Sequence, residues 1–135
     1  IGTALSEKSK VWFTLQGGSL TEVFYPTADK ANVEVLQFIV FNPMTNTIES
    51  EREDAKHEIK IVDTNSLSFQ QINTAKNGDW KIIKTYVTDP QRNTVLIDVV
   101  FQTNNLSVLF LVYFSFWSIY NKSCSLVLNI INATF

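Results

Sequence analysis

The stretch Val11-Trp-Phe-Thr-Leu-Gln-Gly-Gly-Ser-Leu-Thr-Glu-Val-Phe-Tyr-Pro26 decides how this chain folds. Val11, Phe13 and Leu15 alternate with Trp12, Thr14 and Gln16, the period-two pattern of a strand with one buried face. Gly17 and Gly18 take positive φ without a Cβ clash, so Gln16-Gly17-Gly18-Ser19 turns the chain into a second strand, Leu20 to Tyr25. Pro26, which has no N–H to donate, ends that ladder.

Working outward, the same period recurs. Strands are expected over Val35 to Phe41, stopped by Asn42-Pro43, and over Lys56 to Val62, where Ile59 and Ile61 alternate with Glu58 and Lys60. Leu67 to Ile72 follows. After the Asn77-Gly78-Asp79 turn, Trp80, Ile82, Lys84 and Tyr86 alternate with Lys81, Ile83, Thr85 and Val87 until Asp89-Pro90 halts the run. Thr94 to Thr103 is rich in β-branched residues. Short strands between regular turn signals predict an all-β fold, an antiparallel β-sandwich, with helical turns only at Ala28 to Val33 and Glu49 to Ala55.

The 135 residues set a prior of one domain, and 45% hydrophobic with 18% charged residues is enough to bury a core. Eleven Lys and Arg against thirteen Asp and Glu leave a net charge of −2, so nucleic acid is not an expected partner. One cysteine, Cys124, and one histidine, His57, exclude an internal disulfide and a Cys/His zinc cluster, and no metal or cofactor is expected. Between residues 99 and 135 the only charge is Lys122. The apolar run Leu106 to Tyr120 falls short of the roughly 20 residues a membrane-spanning helix needs, so no membrane span is expected. No basic segment followed by an apolar one precedes Ser9, so any export signal is expected to be removed or to lie outside this chain.

Sugar-bond hydrolysis usually needs two carboxyl groups, one of them kept protonated by its surroundings. Glu49-Ser-Glu51-Arg-Glu53-Asp54 is the only crowded acidic segment, and it reads as a solvated connection with nothing apolar to raise one pKa selectively. His57 shares a strand face with Ile59 and Ile61 and reads as a packed or hydrogen-bonded histidine rather than a general base. Cys124 has only Lys122 nearby to activate it. Of the aromatic rings, Phe13, Phe38, Phe69 and Phe101 are expected in the core. Trp12, Phe24 and Trp80 face away from the more aliphatic sides of their strands. Trp12 and Trp80 are therefore the candidate carbohydrate contacts, since exposed rings stack on the apolar faces of sugars.

Beyond these patterns, Ser9-Lys-Val-Trp-Phe-Thr-Leu-Gln-Gly-Gly-Ser-Leu-Thr-Glu-Val-Phe-Tyr-Pro-Thr-Ala-Asp29, then Asn32-Val33 and Leu36-Gln-Phe-Ile-Val40, resemble the start of bacterial glucoamylases of glycoside hydrolase family 15 and of the related glucodextranases. Lys84-Thr-Tyr-Val-Thr-Asp-Pro-Gln-Arg92 is a second block in the same order, and with Gln71-Ile-Asn73 the resemblance covers roughly residues 3 to 104. It implies the first half of an N-terminal supersandwich of the galactose-mutarotase-like type, packed on an (α/α)6 barrel. That barrel cleaves α-glucosidic bonds of starch-type glucans from non-reducing ends with inversion. The family's catalytic glutamates belong to the barrel, so no catalytic residue transfers to this chain and none is assigned. On this resemblance the chain alone is expected to be inactive, the parent to be secreted, and the partners to be the barrel and an α-glucan. Tyr25, Thr27, Asp29, Asp89 and Arg92, in polar corners of the two matching blocks, are the expected interdomain contacts. Edge strands of such a half-domain must be covered or they will aggregate. Residues 1 to 114 form the expected domain. The tail from 115 to 135 departs from the family and is expected to be a shifted or truncated reading frame. The alternative reading of the whole is a carbohydrate-binding module.

Overall fold

The structure, a computed structural model, describes residues 1–104, 107–116 and 125–133. Among these, the regular elements are strands: β1 (Gly2–Thr3), β2 (Trp12–Gln16), β3 (Ser19–Phe24), β4 (Ala31–Asn42), β5 (Thr47–Ser50), β6 (Ala55–Asp63), β7 (Ser68–Ala75), β8 (Trp80–Thr88), β9 (Thr94–Thr103), β10 (Leu109–Phe116) and β11 (Ser125–Ala133). They form two sheets. One runs β1-β2-β3-β4-β10 with β5 also on β4, and the other runs β11-β9-β8-β7-β6. The expected all-β sandwich is what the chain adopts. Its pairing is antiparallel except where β11 lies parallel to β9.

The hairpin at the start of the chain forms as its glycines require. Gly17 and Gly18 have φ of 53° and 78°, and β2 pairs with β3 from Trp12↔Phe24 to Gln16↔Ser19. β4 is the centre of its sheet. β3 covers Ala31 to Leu36 and β5 covers Ile39 to Asn42 along one edge, so β10, paired from Val33 to Phe41, must take the other. The expected helical turn at Ala28 to Val33 does not form, because Ala31 and Val33 gain ladder partners in Phe24 and Val23, and tertiary pairing outweighs local propensity. Between Glu49 and Ala55 a single turn does close, with the Asp54 N–H donating to the Ser50 carbonyl at 2.9 Å. Of the apolar run from Leu106 to Tyr120, Leu109 to Phe116 is strand β10; Leu106, residues 117–120, Lys122 and Cys124 lie outside the described residues. No helix among the described residues is long and apolar enough to cross a membrane.

Alternation places the core between the layers. Phe13, Leu20, Val23, Leu36, Phe38 and Val40 of the first sheet face Trp80, Ile82, Tyr86, Val95, Ile97, Val99 and Phe101 of the second, all buried. Phe13 stitches the layers. Its ring stacks on Tyr86 at 5.6 Å and meets the edge of Phe69 at 6.1 Å. All four phenylalanines expected in the core lie there, Phe69 partly buried at its margin. β6 is different. Its inward positions Ile59 and Ile61, opposite Gln71 and Phe69, remain exposed.

Candidate functional site

Trp80 opens β8, and on that strand Trp80, Ile82, Lys84, Tyr86 and Thr88 all point inward. Trp80 was expected at the surface as a sugar contact. Instead it is 1% exposed, and its indole N–H donates to Glu49 Oε2 at 2.7 Å. The inference failed because each face of β8 carries one lysine, Lys84 or Lys81, so alternation does not rank them; Ile83 and Val87 on the opposite face are only half-buried. A ring sealed in the core offers no platform for a sugar.

Lys84 is inward because it has a partner. Its Nζ lies 2.8 Å from both carboxylate oxygens of Glu51 and 2.7 Å from the Gly18 carbonyl, and both charged side chains are fully buried. Glu51 Oε1 also accepts the Phe38 N–H at 3.0 Å, and Oε2 accepts Asn73 Nδ2 at 2.7 Å. The ammonium sits 5.4 Å from the centre of the Phe38 ring. The expectation that Glu51 belongs to a solvated acidic connection is therefore overturned. The turn after β5 carries it inward, while Arg52 and Glu53 beside it stay in water. Burial pushes the Glu51 carboxyl up and the Lys84 ammonium down, with the attraction of each for the other opposing both shifts. Burial also drives the Tyr86 hydroxyl well above its usual range, with the Glu51 charge adding to it. That hydroxyl donates to Gln71 Oε1 at 3.1 Å.

His57 completes the cluster as a hydrogen-bonded histidine. Nδ1 lies 3.0 Å from Asn73 Oδ1 and Nε2 lies 3.1 Å from the Arg52 carbonyl. Asn73 Nδ2 is committed to two acceptors, the Gly18 carbonyl at 2.7 Å and Glu51, which fixes its amide orientation. The cluster thus ties the β2–β3 turn, the turn after β5, and strands β4, β6, β7 and β8 into one polar strut between the sheets. One carboxylate paired with an ammonium and closed to solvent cannot act as half of a hydrolytic pair, so its chemistry is structural. Sequence reasoning missed it, although a lysine on the Trp80-Ile82-Tyr86 stripe was a usable signal, since a buried lysine needs an acid.

Gly18 is the tightest point. A Cβ there would collide with the His57 ring and lie 3.0 Å from Asn73 Oδ1, whereas one at Gly17 would meet nothing within 4 Å. Both residues have positive φ, so the pair separates backbone strain from collision. Gly17→Ala is expected to lose about 1 kcal/mol, the cost of left-handed backbone. Gly18→Ala is expected to lose clearly more, about 1–3 kcal/mol beyond that, as the strut is pushed apart. Urea denaturation of the two variants checks this, and equal losses would refute the role given to His57.

The remaining expected residues lie at the surface. Tyr25 is half-buried at the cis Tyr25–Pro26 bond, and its N–H donates to the Lys30 carbonyl at 3.0 Å. Thr27 and Asp29 are exposed, and the Thr27 hydroxyl holds the Asp29 carboxyl below the usual carboxylate range. Asp89 accepts the Gln91 N–H at 2.8 Å, and Arg92 is exposed. The two corners share a bridge. Ser9 Oγ donates to the Arg92 carbonyl at 2.8 Å and the Lys10 N–H to Asn93 Oδ1 at 2.7 Å, while Ser9 and Lys10 line a cleft of about 630 Å³ with Trp12 and Pro26. Trp12, half-buried, keeps part of its ring on that cleft.

The comparisons agree with this architecture. The family described as glucodextranase, domain N, matches residues 1–117. A glucoamylase from Clostridium sp. (strain G0005) is 36% identical over 102 residues, which are 76% of this chain and 14% of that protein. A crystal structure of bacterial glucoamylase complexed with acarbose superposes with a TM-score of 0.80 at 32% identity, over 85% of this chain and 17% of that one. This chain therefore spans about a seventh of the curated relative it matches. The hairpin, the sandwich around it and these likenesses converge: the chain belongs to the glucodextranase domain N family, the N-terminal domain of bacterial glucoamylases and glucodextranases.

Proposed function

We propose that this domain is the non-catalytic scaffold of a secreted glycoside hydrolase of family 15, docking on the (α/α)6 barrel and helping it fold or shaping its cleft. The barrel would hydrolyse α-glucosidic bonds of starch-type glucans from non-reducing ends with inversion. The observation that carries this reading is the match of the family over residues 1–117, in a chain that makes up only 14% of its glucoamylase relative. The fully buried Glu51, held by Lys84, supports it further, because its chemistry holds two sheets together rather than attacking a substrate. Tyr25, Thr27, Asp29, Asp89 and Arg92 are proposed as interdomain contacts, supported by the Ser9–Lys10 bridge next to both corners. The proposed boundary at residue 114, with a tail read out of frame beyond it, gains support from a family match that stops at 117. The purified chain is expected to release no glucose from maltotriose, and turnover by it would overturn the non-catalytic assignment.

A second reading, carbohydrate binding, is favoured by Trp12 alone, since its ring borders an open cleft with polar Glu7, Ser9 and Lys10. Titration with a maltooligosaccharide is then expected to quench tryptophan fluorescence, with the quenching removed by Trp12→Ala. No change at millimolar sugar would leave the docking reading by itself.

A further inference from the structure

Glu22 and Glu34 break up the outward face of the first sheet near β3, but along β5, the end of β4 and β10 it carries rows of apolar side chains where solvent-facing strands normally alternate with charge. Val40, Phe38 and Leu36 of β4 point into the core, so Phe41, Ile39 and Gln37 point out. The register sets Ile48 and Leu109 on either side of Phe41, Ser50 and Leu111 on either side of Ile39, and Tyr113 beside Gln37. Directly paired residues share a face, so these rows form one continuous patch. Ile48 is 71% exposed, Leu109 53%, Leu111 52% and Tyr113 48%. No charged residue stands among these positions. The outward face of the second sheet differs, with Lys81 and Asp98 interrupting Ile83, Val87, Leu96 and Val100.

We infer that this outer face, centred on Ile39, Phe41, Ile48, Leu109, Leu111 and Tyr113, is the main docking surface of the domain and takes an apolar surface of the parent hydrolase's remaining polypeptide. The inference rests on the docking reading proposed above and relocates its weight from the polar corners to a sheet face. Two observations identify the occupant. The relatives carry more than four-fifths of their polypeptide outside the matched segment. The patch also lies along β10, the last strand within the family match, so in a relative the following polypeptide leaves from the patch itself. An apolar patch of this kind gains by being withdrawn from water, which polar turn residues do not.

The test places residues 1–116 of this chain into the bacterial glucoamylase of known structure, in place of the equivalent segment. Leu109→Asp with Leu111→Asp is expected to shorten the thermal-inactivation half-life of that protein at least about tenfold, the scale set by withdrawing a leucine from water. The same substitutions should lower the urea midpoint of the free 135-residue chain only slightly, by the loss of cross-strand contacts to Phe41 and Ile39, since both positions are already about half exposed there. Tyr25→Ala with Arg92→Glu should give a smaller shift, since Arg92 is exposed and Tyr25 only half-buried. A larger loss from the corner pair would overturn the inference and keep the docking reading, and no loss from either pair would overturn both. Should the free chain instead form a dimer that the aspartates dissolve, with the half-life of the full protein unchanged, a second copy would be the occupant and the inference would fall.

Discussion

Lys84→Met is expected to destabilise the domain by about 3–5 kcal/mol at pH 7, the cost of leaving a buried carboxylate without its counter-charge. The substitution keeps the volume of the lysine stem but removes both contacts to Glu51 and the one to the Gly18 carbonyl. Glu51→Met with Lys84→Met should lie within about 2 kcal/mol of wild type. Removing both charges relieves a desolvation cost of roughly 1–4 kcal/mol, which offsets the roughly 1–3 kcal/mol of an orphaned Phe38 N–H. Asn73 keeps the Gly18 carbonyl as acceptor for one Nδ2–H and loses the acceptor of the other, which adds a second orphan to the cost. A double variant as unstable as the sum of its singles would show that the two residues do not act as a pair.

The sign of the pH dependence follows from burial. In Lys84→Met the attraction that restrains Glu51 is gone, so its folded carboxyl rises further above the ordinary range near 4.3. A raised carboxyl contributes stability that is present below the unfolded value and is lost as pH rises through the folded one. The deficit of Lys84→Met relative to wild type should therefore shrink toward pH 5 and widen toward pH 8 in paired urea titrations. A deficit that is flat across this window would mean that Glu51 reaches water.

Trp80→Ala is expected to cost about 3–5 kcal/mol, because it empties the largest buried side chain in the core and strands Glu49 Oε2. Trp80→Phe should lose less, since it fills most of the cavity and removes only the indole N–H; Glu49 keeps its 2.9 Å bond from Asn77 through Oε1. Acrylamide quenching offers an independent check: the emission lost with Trp80 should be the protected fraction, and that lost with Trp12 the accessible one. A cost below about 1 kcal/mol for Trp80→Ala would return this ring to the surface, where period-two reading had put it.

The two tryptophans show where that reading works and where it fails. On β2 the aliphatic face is unmixed, Val11 and Phe13 go inside, and Trp12 lies on the other side as expected. On β8 each face holds one lysine among apolar residues, so hydropathy cannot rank them. What ranks them is a glutamate 33 residues away, delivered by a turn whose next two residues, Arg52 and Glu53, are solvated. Local pattern does not reveal long-range neutralisation, and so Glu51, in the most acidic run of the chain, was read as solvated. β10 illustrates the same limit. Its residues are apolar on both faces, so alternation cannot orient it, and only pairing with β4 shows that it is an edge strand.

From the amino-acid order alone come strands β2, β3, β4 and β6 to β9, the Gly17-Gly18 hairpin, the sandwich class and the family, because each depends on spacing between near neighbours or on ungapped blocks of residues. Tertiary structure alone decided which face of β8 is inside, that Lys84 and Glu51 meet, and that the outer face of β4, β5 and β10 forms one apolar surface. Those outcomes depend on which distant segments are brought opposite one another, and in a two-layer fold the free energy of a buried charge or an exposed leucine is set by what stands across from it.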